Sequence, residues 1–180
     1  MRGMNLIYLH GPPASGKLTV GRALARLIDA RLSDNHASID FAKTLFDFGT
    51  PDFWRLVQAV RLTALRHAAE AQVPNLIYTC VYSEPEDRPC FDAFCEIVED
   101  NGGVMMPVFL QCAPSELAAR VANQDRVDRG KLSSADGLET FLNQWNVAPV
   151  PHVNCLTLDT SSAKPRETAR IIGRHFGLVT

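Results

Sequence analysis

The chain carries little excess charge of either sign. Eighteen Lys and Arg stand against 20 Asp and Glu, a formal net charge of −2. No nucleic-acid or anionic-membrane partner is expected, because each calls for a basic excess. A long apolar run is also missing. The stretch from Leu6 to Leu9 stops at Gly11-Pro12-Pro13, too short for the core of a secretion signal or for a bilayer span. Paired thiols are lacking too: Cys80, Cys90, Cys95, Cys112 and Cys155 are odd in number and form no C-x-x-C. They are expected as reduced, mostly buried thiols of a cytoplasmic protein. His10, His67, His152 and His175 are scattered, so no dedicated zinc site is expected. What remains is 180 residues, 46% apolar and 21% charged. That composition fits a single globular domain over residues 1–180, large enough to need no disulfide.

Strand and helix patterns alternate along the chain. Asn5–His10 is nearly all apolar and reads as a strand buried on both faces. From Gly16 to Ala30, Leu18, Ala23, Leu24, Leu27 and Ile28 recur at helical spacing. A short strand is expected over Arg31–Asp34, then helices over about Ile39–Phe46 and Asp52–Ala71, separated by Gly49-Thr50-Pro51. Asn75–Tyr82 reads as a third strand, Pro85–Asp100 as a helix stopped by Gly102-Gly103, and Val104–Cys112 as a fourth strand. Pro107 lies inside that strand and predicts a bulge or a late start. Pro114 opens another helix, Asn123–Asp136 is polar, Cys155–Asp159 is a fifth strand, and Pro165–His175 closes the pattern. The alternation implies an α/β fold with a mostly parallel sheet.

The most specific motif is Gly11-Pro12-Pro13-Ala14-Ser15-Gly16-Lys17-Leu18-Thr19. It matches G-x-x-x-x-G-K, the Walker A pattern, between a buried strand and a helix start. Its glycines let successive N–H groups turn inward to cradle phosphates, and the helix N-terminus adds positive charge. Lys17 would reach the β- and γ-phosphates as a mobile point charge. A metal-binding hydroxyl normally follows this Lys, but the chain has Leu18 there, with Thr19 one place later. Either Mg²⁺ is held by water and nucleotide alone, or nucleotide binding is weakened.

GPPASGKLT followed by VGRALARLIDARL resembles the opening of small P-loop kinases: nucleoside monophosphate, shikimate and gluconate kinases and antibiotic phosphotransferases. It also resembles poorly characterised bacterial AAA-labelled ATPases. Adenylate kinases likewise carry a non-hydroxyl residue and then Thr after the Lys. The resemblance implies a P-loop nucleoside-triphosphate hydrolase fold with five parallel strands in order 2-3-1-4-5. It further implies an acceptor-binding helical insert at about 37–72 and a lid at about 120–137, with ATP and Mg²⁺ as ligands and a small molecule as phosphoryl acceptor.

Strand carboxyl ends face the ligand crevice in such sheets, so Asp34 and His36, 17 and 19 residues after Lys17, are expected near the transferred group. By resemblance Asp34 is the base or the ligand of Mg²⁺-bound water. The near-neutral pKa of His36 suits a general base or substrate donor. Asp34 or Asn35 capping the next helix is the plainer alternative. Five of the 14 aromatics, Phe41, Phe46, Phe48, Phe53 and Trp54, fall within 14 residues. Phe48, Phe53 and Trp54 either line an acceptor pocket or pack between helices. Arg55 and Arg61 either anchor an anionic acceptor or lie on the solvated face.

Arg120, Arg126, Arg129 and Lys131 fall within twelve residues. By resemblance Arg120 sits near the adenine, and Arg126 and Arg129 stabilise charge on the phosphates. A solvated helix with Glu116 and Arg120 as an i,i+4 pair is the alternative. Asp159-Thr160-Ser161-Ser162 fits the purine-contacting loop of such kinases. The sequence thus points to transfer of the γ-phosphoryl group of ATP to a small acceptor. An ATP-binding regulatory module or simple ATPase stays open because of Leu18, and ATP is not separated from GTP.

Overall fold

A computed structural model describes residues 3–124 and 131–179. The alternation within β1 (Asn5–His10) sets the layering: Leu6 and Tyr8 enter the core on one face of the sheet, Ile7 and Leu9 on the other. Along the chain follow α1 (Lys17–Ile28), β2 (Arg31–Asp34), α2 (His36–Lys43), α3 (Pro51–Glu70) and β3 (Asn75–Cys80). Then come α4 (Arg88–Asp100), β4 (Val104–Gln111), α5 (Pro114–Val121), α6 (Ala135–Gln144), β5 (Leu156–Asp159) and α7 (Pro165–His175).

The five strands form one sheet in order β2-β3-β1-β4-β5, and every ladder is parallel. β1 is therefore interior, with Asn5 beside Asn75 of β3 and Val104 of β4. On one face α3 and α4 supply Leu65, Ala69, Phe91, Phe94, Ile97 and Val98 against Tyr8 and Tyr78. On the other, Val20 and Leu24 of α1 and Ala169 and Ile172 of α7 cover Ile7, Leu9 and Val108. Each such side chain taken fully from water contributes roughly 1.5–3 kcal/mol. A separate small core, Ile39, Ala42, Phe53 and Val57, joins α2 to α3. Thr50 starts α3 by accepting the Phe53 N–H, and Pro51 occupies its first turn.

Two expectations are corrected. β4 neither bulges nor starts late at Pro107: it runs unbroken from Val104, pairing Pro107 with Tyr8 of β1. The ladder to β5 begins only at Val108, so on that side Pro107 is an edge position, where a missing N–H is tolerated. The polar stretch after Asn123 gives way to a helix that the pattern analysis missed, α6, capped by the Ser134 hydroxyl accepting from Gly137 N–H. Among the described residues no helix is long and apolar enough to cross a membrane.

Candidate active site

Because all strands run one way, their carboxyl ends and the loops that follow open on a single edge of the sheet. There a crevice of about 1360 Å³ is lined by residues from each of those loops except the one after β4 and by α1, α3, α5 and α6. The loop after β1 lies in the middle of the strand order. Residues following β2 and β3 lie to one side of it, and the loop after β5 to the other.

Gly11, with φ +147° and an added Cβ only 2.4 Å from the Leu110 carbonyl, and Gly16, with φ +90°, give the middle loop its curl. Ala14 is also left-handed at φ +66°. Gly16 leads into α1 with no side-chain cap and no acidic residue in the first turn. The helix therefore offers its first N–H groups and its positive end to the crevice. Lys17 Nζ donates to the carbonyls of Gly11 and Pro12 at 2.8 and 2.7 Å. Ser15 is fully buried, and its Oγ finds no hydrogen-bond partner among the described residues. An orphaned hydroxyl in a curled loop at an uncapped helix start is what a bound phosphate would satisfy. Pro13, Ala14, Ser15, Gly16, Lys17, Leu18 and Thr19 all line the crevice.

On the β2 side, Asp34 is a hub. Its Oδ1 accepts from His36 N–H at 3.3 Å and from the Thr79 hydroxyl at 3.4 Å, and its Oδ2 from Lys131 Nζ at 3.0 Å. Burial alone would raise its pKa, but the Lys131 hydrogen bond and charge, with the His36 N–H, hold the carboxyl below its ordinary value. The plainer capping alternative is thus met as well, since Asp34 takes the first N–H of α2, whereas the Asn35 side chain caps nothing. Burial, with the charge of Lys131, lowers the His36 pKa and so favours the neutral imidazole. The buried Nδ1 of His36 has no partner among the described residues.

The aromatic stretch divides. Phe53 is fully buried in the α2–α3 core, so it lines no pocket. Phe48 and Trp54 do line the crevice, held edge-on against Phe53 at centroid distances of 5.1 and 4.9 Å. Phe41 and Phe46 are exposed and outside it. The two arginines divide too. Arg55 pairs with Asp52 on the solvated face, whereas Arg61 lines the crevice and donates from Nε to the Ser38 hydroxyl at 3.1 Å.

Beside Arg61 stand residues that sequence reasoning missed. Asp87 accepts from Ser83 N–H at 2.9 Å, and Glu86 from the Ser83 hydroxyl at 3.1 Å. Burial pushes the Asp87 carboxyl up, while the nearby Arg61 charge pulls it down in part. Phe141 and Trp145 of α6 add a second aromatic wall. The available signal was Leu138, Phe141, Leu142 and Trp145 at helical spacing behind a Ser134 cap.

On the β5 side, Arg120 donates through Nη2 to the carbonyls of Thr160 and Ser161 at 2.9 and 2.7 Å, and also pairs with Glu116 at 3.6 Å. Arg120 is thus the i,i+4 partner of Glu116 and also holds the loop after β5. The Thr160 hydroxyl donates to the carbonyl of Ser15, tying that loop to the loop after β1. Arg126, Arg129 and part of the expected lid at about 120–137 lie outside the described residues.

Among the described residues no group of three or more His, Cys, Asp or Glu could hold a metal ion. Leu18 offers no oxygen. The Asp34 carboxylate and the Thr79 hydroxyl beside it are hard oxygens that fit Mg²⁺ held through water. All five cysteines are free. His10 is fully buried and accepts from Val150 N–H at 3.1 Å, a structural role.

No protein-family model and no curated protein sequence matches the chain. Solved structures do. A sugar kinase from Janibacter sp. HTCC2649 is 16% identical with a TM-score of 0.68, the match covering 98% of this chain and 96% of that one. A gluconokinase from Sinorhizobium meliloti 1021 is 21% identical with a TM-score of 0.64, over 98% and 94%. An APS kinase from Mycobacterium tuberculosis, solved with AMPPNP and APS, is 13% identical with a TM-score of 0.63, over 98% and 99%. The fold is that of the small P-loop kinases, as the opening motif implied. Identities this low show the fold alone.

Proposed function

We propose that the protein is an ATP-dependent phosphotransferase that moves the γ-phosphoryl group to a hydroxyl of a small-molecule acceptor. The observation that carries this reading is a crevice with the curled, uncapped loop after β1 in its middle and the His36 imidazole among aromatic and charged side chains on one flank. The likeness to kinases, one of them solved with a nucleotide analogue and its acceptor, supports it.

In this reading the loop N–H groups of Ala14, Ser15 and Gly16 and the start of α1 hold the triphosphate on the curl that Gly11, Pro12 and Pro13 shape, and Lys17 moves from the Gly11 and Pro12 carbonyls onto it. Leu18 and Thr19 border the phosphates, and Arg120 fixes the loop against which the purine rests. The acceptor lies between Phe48, Trp54, Arg61 and the Glu86–Asp87 pair. Its hydroxyl oxygen bonds to the γ-phosphorus as the bond to the ADP oxygen breaks, and its proton passes to His36. Asp34 anchors the backbone of His36 through its main-chain N–H, and with Thr79 would hold Mg²⁺ through water. When bound, Mg²⁺ neutralises charge on the β- and γ-phosphates. Arg126 and Arg129 are assigned to the same transition-state charge by resemblance.

Five free thiols fit a reducing compartment, and we assign the protein to the cytoplasm, with neither nucleic acid nor membrane as partner. Leu18 favours a second reading, an ATP-binding regulatory module or simple ATPase with little transfer. ADP release decides between them. A kinase releases ADP faster when a mixed pool of hydroxylated metabolites is added, whereas a module binds ATP and ignores the pool.

A further inference from the structure

Asp34 and Lys131 are 97 positions apart in sequence, yet their side chains meet at 3.0 Å and are only 23% and 13% exposed. A pair so withdrawn from water holds more firmly than a surface pair. The other oxygen of Asp34 is taken by the His36 N–H and the Thr79 hydroxyl, so Oδ2 is the corner at which a new cation would have to enter. Lys131 and Lys17 both line the crevice, and each ammonium rests on protein oxygens. Leu18 supplies no oxygen to a divalent cation, and Asp34 is a crevice carboxylate already committed to a cation.

With the Lys131 ammonium on Oδ2, the charge of Asp34 is already neutralised, so a hydrated divalent cation competes with Lys131 for the same carboxylate. Lys131 is a point charge on a flexible stem and can follow the largest negative charge within reach, which in a loaded site is the triphosphate. We propose that Lys131 is a built-in counter-ion that keeps the divalent cation's place on Asp34 and exchanges onto the nucleotide phosphates when metal and nucleotide enter. The inference rests on the phosphotransferase reading above and extends it to a residue with no assigned role. Its consequence is reciprocal: Asp34 restrains Lys131 from the phosphates, and Lys131 shields Asp34 from the metal.

The test is calorimetric titration of AMPPNP into the full chain, once with chelator and once with Mg²⁺, for wild type, Lys131→Met, Lys131→Arg, Asp34→Asn and the double variant Asp34→Asn/Lys131→Met. Removing one adjacent unit charge at a half-screened site changes affinity about fivefold or more. Lys131→Met is expected to lose that factor without Mg²⁺, while the ratio of affinities with and without Mg²⁺ rises. Asp34→Asn is expected to do the opposite: metal-free affinity rises and the Mg²⁺ ratio falls. Lys131→Arg keeps the charge and stays near wild type. In the double variant metal-free affinity matches Lys131→Met, since the Asp34→Asn change then has no ammonium to release. Losses of equal sign in both single variants, with an unchanged Mg²⁺ ratio, overturn the exchange and leave the pair a structural tie. If Lys131→Met does not fold, Lys131→Gln takes its place in the single and the double variant, because loss of the Asp34 charge by itself lessens repulsion of the phosphates and only the comparison with the double variant isolates the ammonium. Failure of wild type to bind AMPPNP in either condition overturns the phosphotransferase reading and this inference together. Wild-type binding with parallel losses overturns only the inference.

Discussion

Asp34 and His36 stand two residues apart and are suited to different work. Both are partly buried, but Lys131 reverses the effect of burial on the carboxylate and adds to it on the imidazole. A carboxylate held below its ordinary range is a poor proton acceptor, and a neutral imidazole with an open nitrogen is a good one. His36→Ala is therefore expected to lower kcat by roughly 10²–10⁴-fold while leaving AMPPNP affinity within a factor of two or so. Steady-state kinetics with calorimetry would show a different split if His36 served only to bind. Lys17→Ala is expected to cut nucleotide affinity at least about tenfold, the size of one lost charge-assisted hydrogen bond. An unchanged dissociation constant would mean the phosphates do not sit on this loop. At this scale the sequence was a good guide to Lys17, Asp34 and His36, whose places follow from a motif and a strand end. It was a poor guide to Glu86 and Asp87, whose position depends on how the segment after β3 folds back, and it grouped Lys131 with the neighbouring arginines without pairing it to Asp34.

Among elements, β1 and the loop it feeds carry most of the constraint. Gly11→Ala would force a Cβ to within 2.4 Å of the Leu110 carbonyl at a φ of +147°. It is expected to cost about 1–3 kcal/mol and to abolish AMPPNP binding, read by thermal melting and calorimetry. His10, at the end of β1, makes the fold acid-sensitive. Burial lowers its pKa to about 4 from an ordinary 6.5, so the folded chain keeps this imidazole neutral where the unfolded chain protonates. Stability from His10 is full above pH 6.5 and is lost as pH falls from there to about 4, on the order of 3 kcal/mol in all. Thermal midpoints measured across that window should flatten in His10→Gln relative to wild type; equal slopes would place the acid-sensitive group elsewhere. Element order was legible because the buried strands are short apolar runs between Gly and Pro breaks. Boundaries were less so. α2 begins at His36 rather than Ile39 because Asp34 takes its first N–H, and β4 tolerates Pro107 only because β5 is short there.

For the whole molecule, ligand and stability are linked. A ligand that binds only the folded chain stabilises it by about 2.7 kcal/mol at one hundred times its dissociation constant. Mg²⁺ and AMPPNP together should therefore raise the melting midpoint of wild type and leave that of Lys17→Ala in place. A midpoint rise of equal size in both would locate the nucleotide away from Lys17. The parallel sheet has a further consequence, for how the chain is made. β1 precedes its neighbours in the sheet by 70 residues (Asn5 to Asn75) and 99 residues (Asn5 to Val104). A ribosome extrudes the loop after β1 long before β3 and β4 exist to support it. Closing such distant pairings is slow, so until β3 has been made the apolar run from Leu6 to Leu9 is an unpaired strand. In a growing chain that segment is what a chaperone would grip, and the loop after β1 takes shape only once β3 and β4 stand on either side of it.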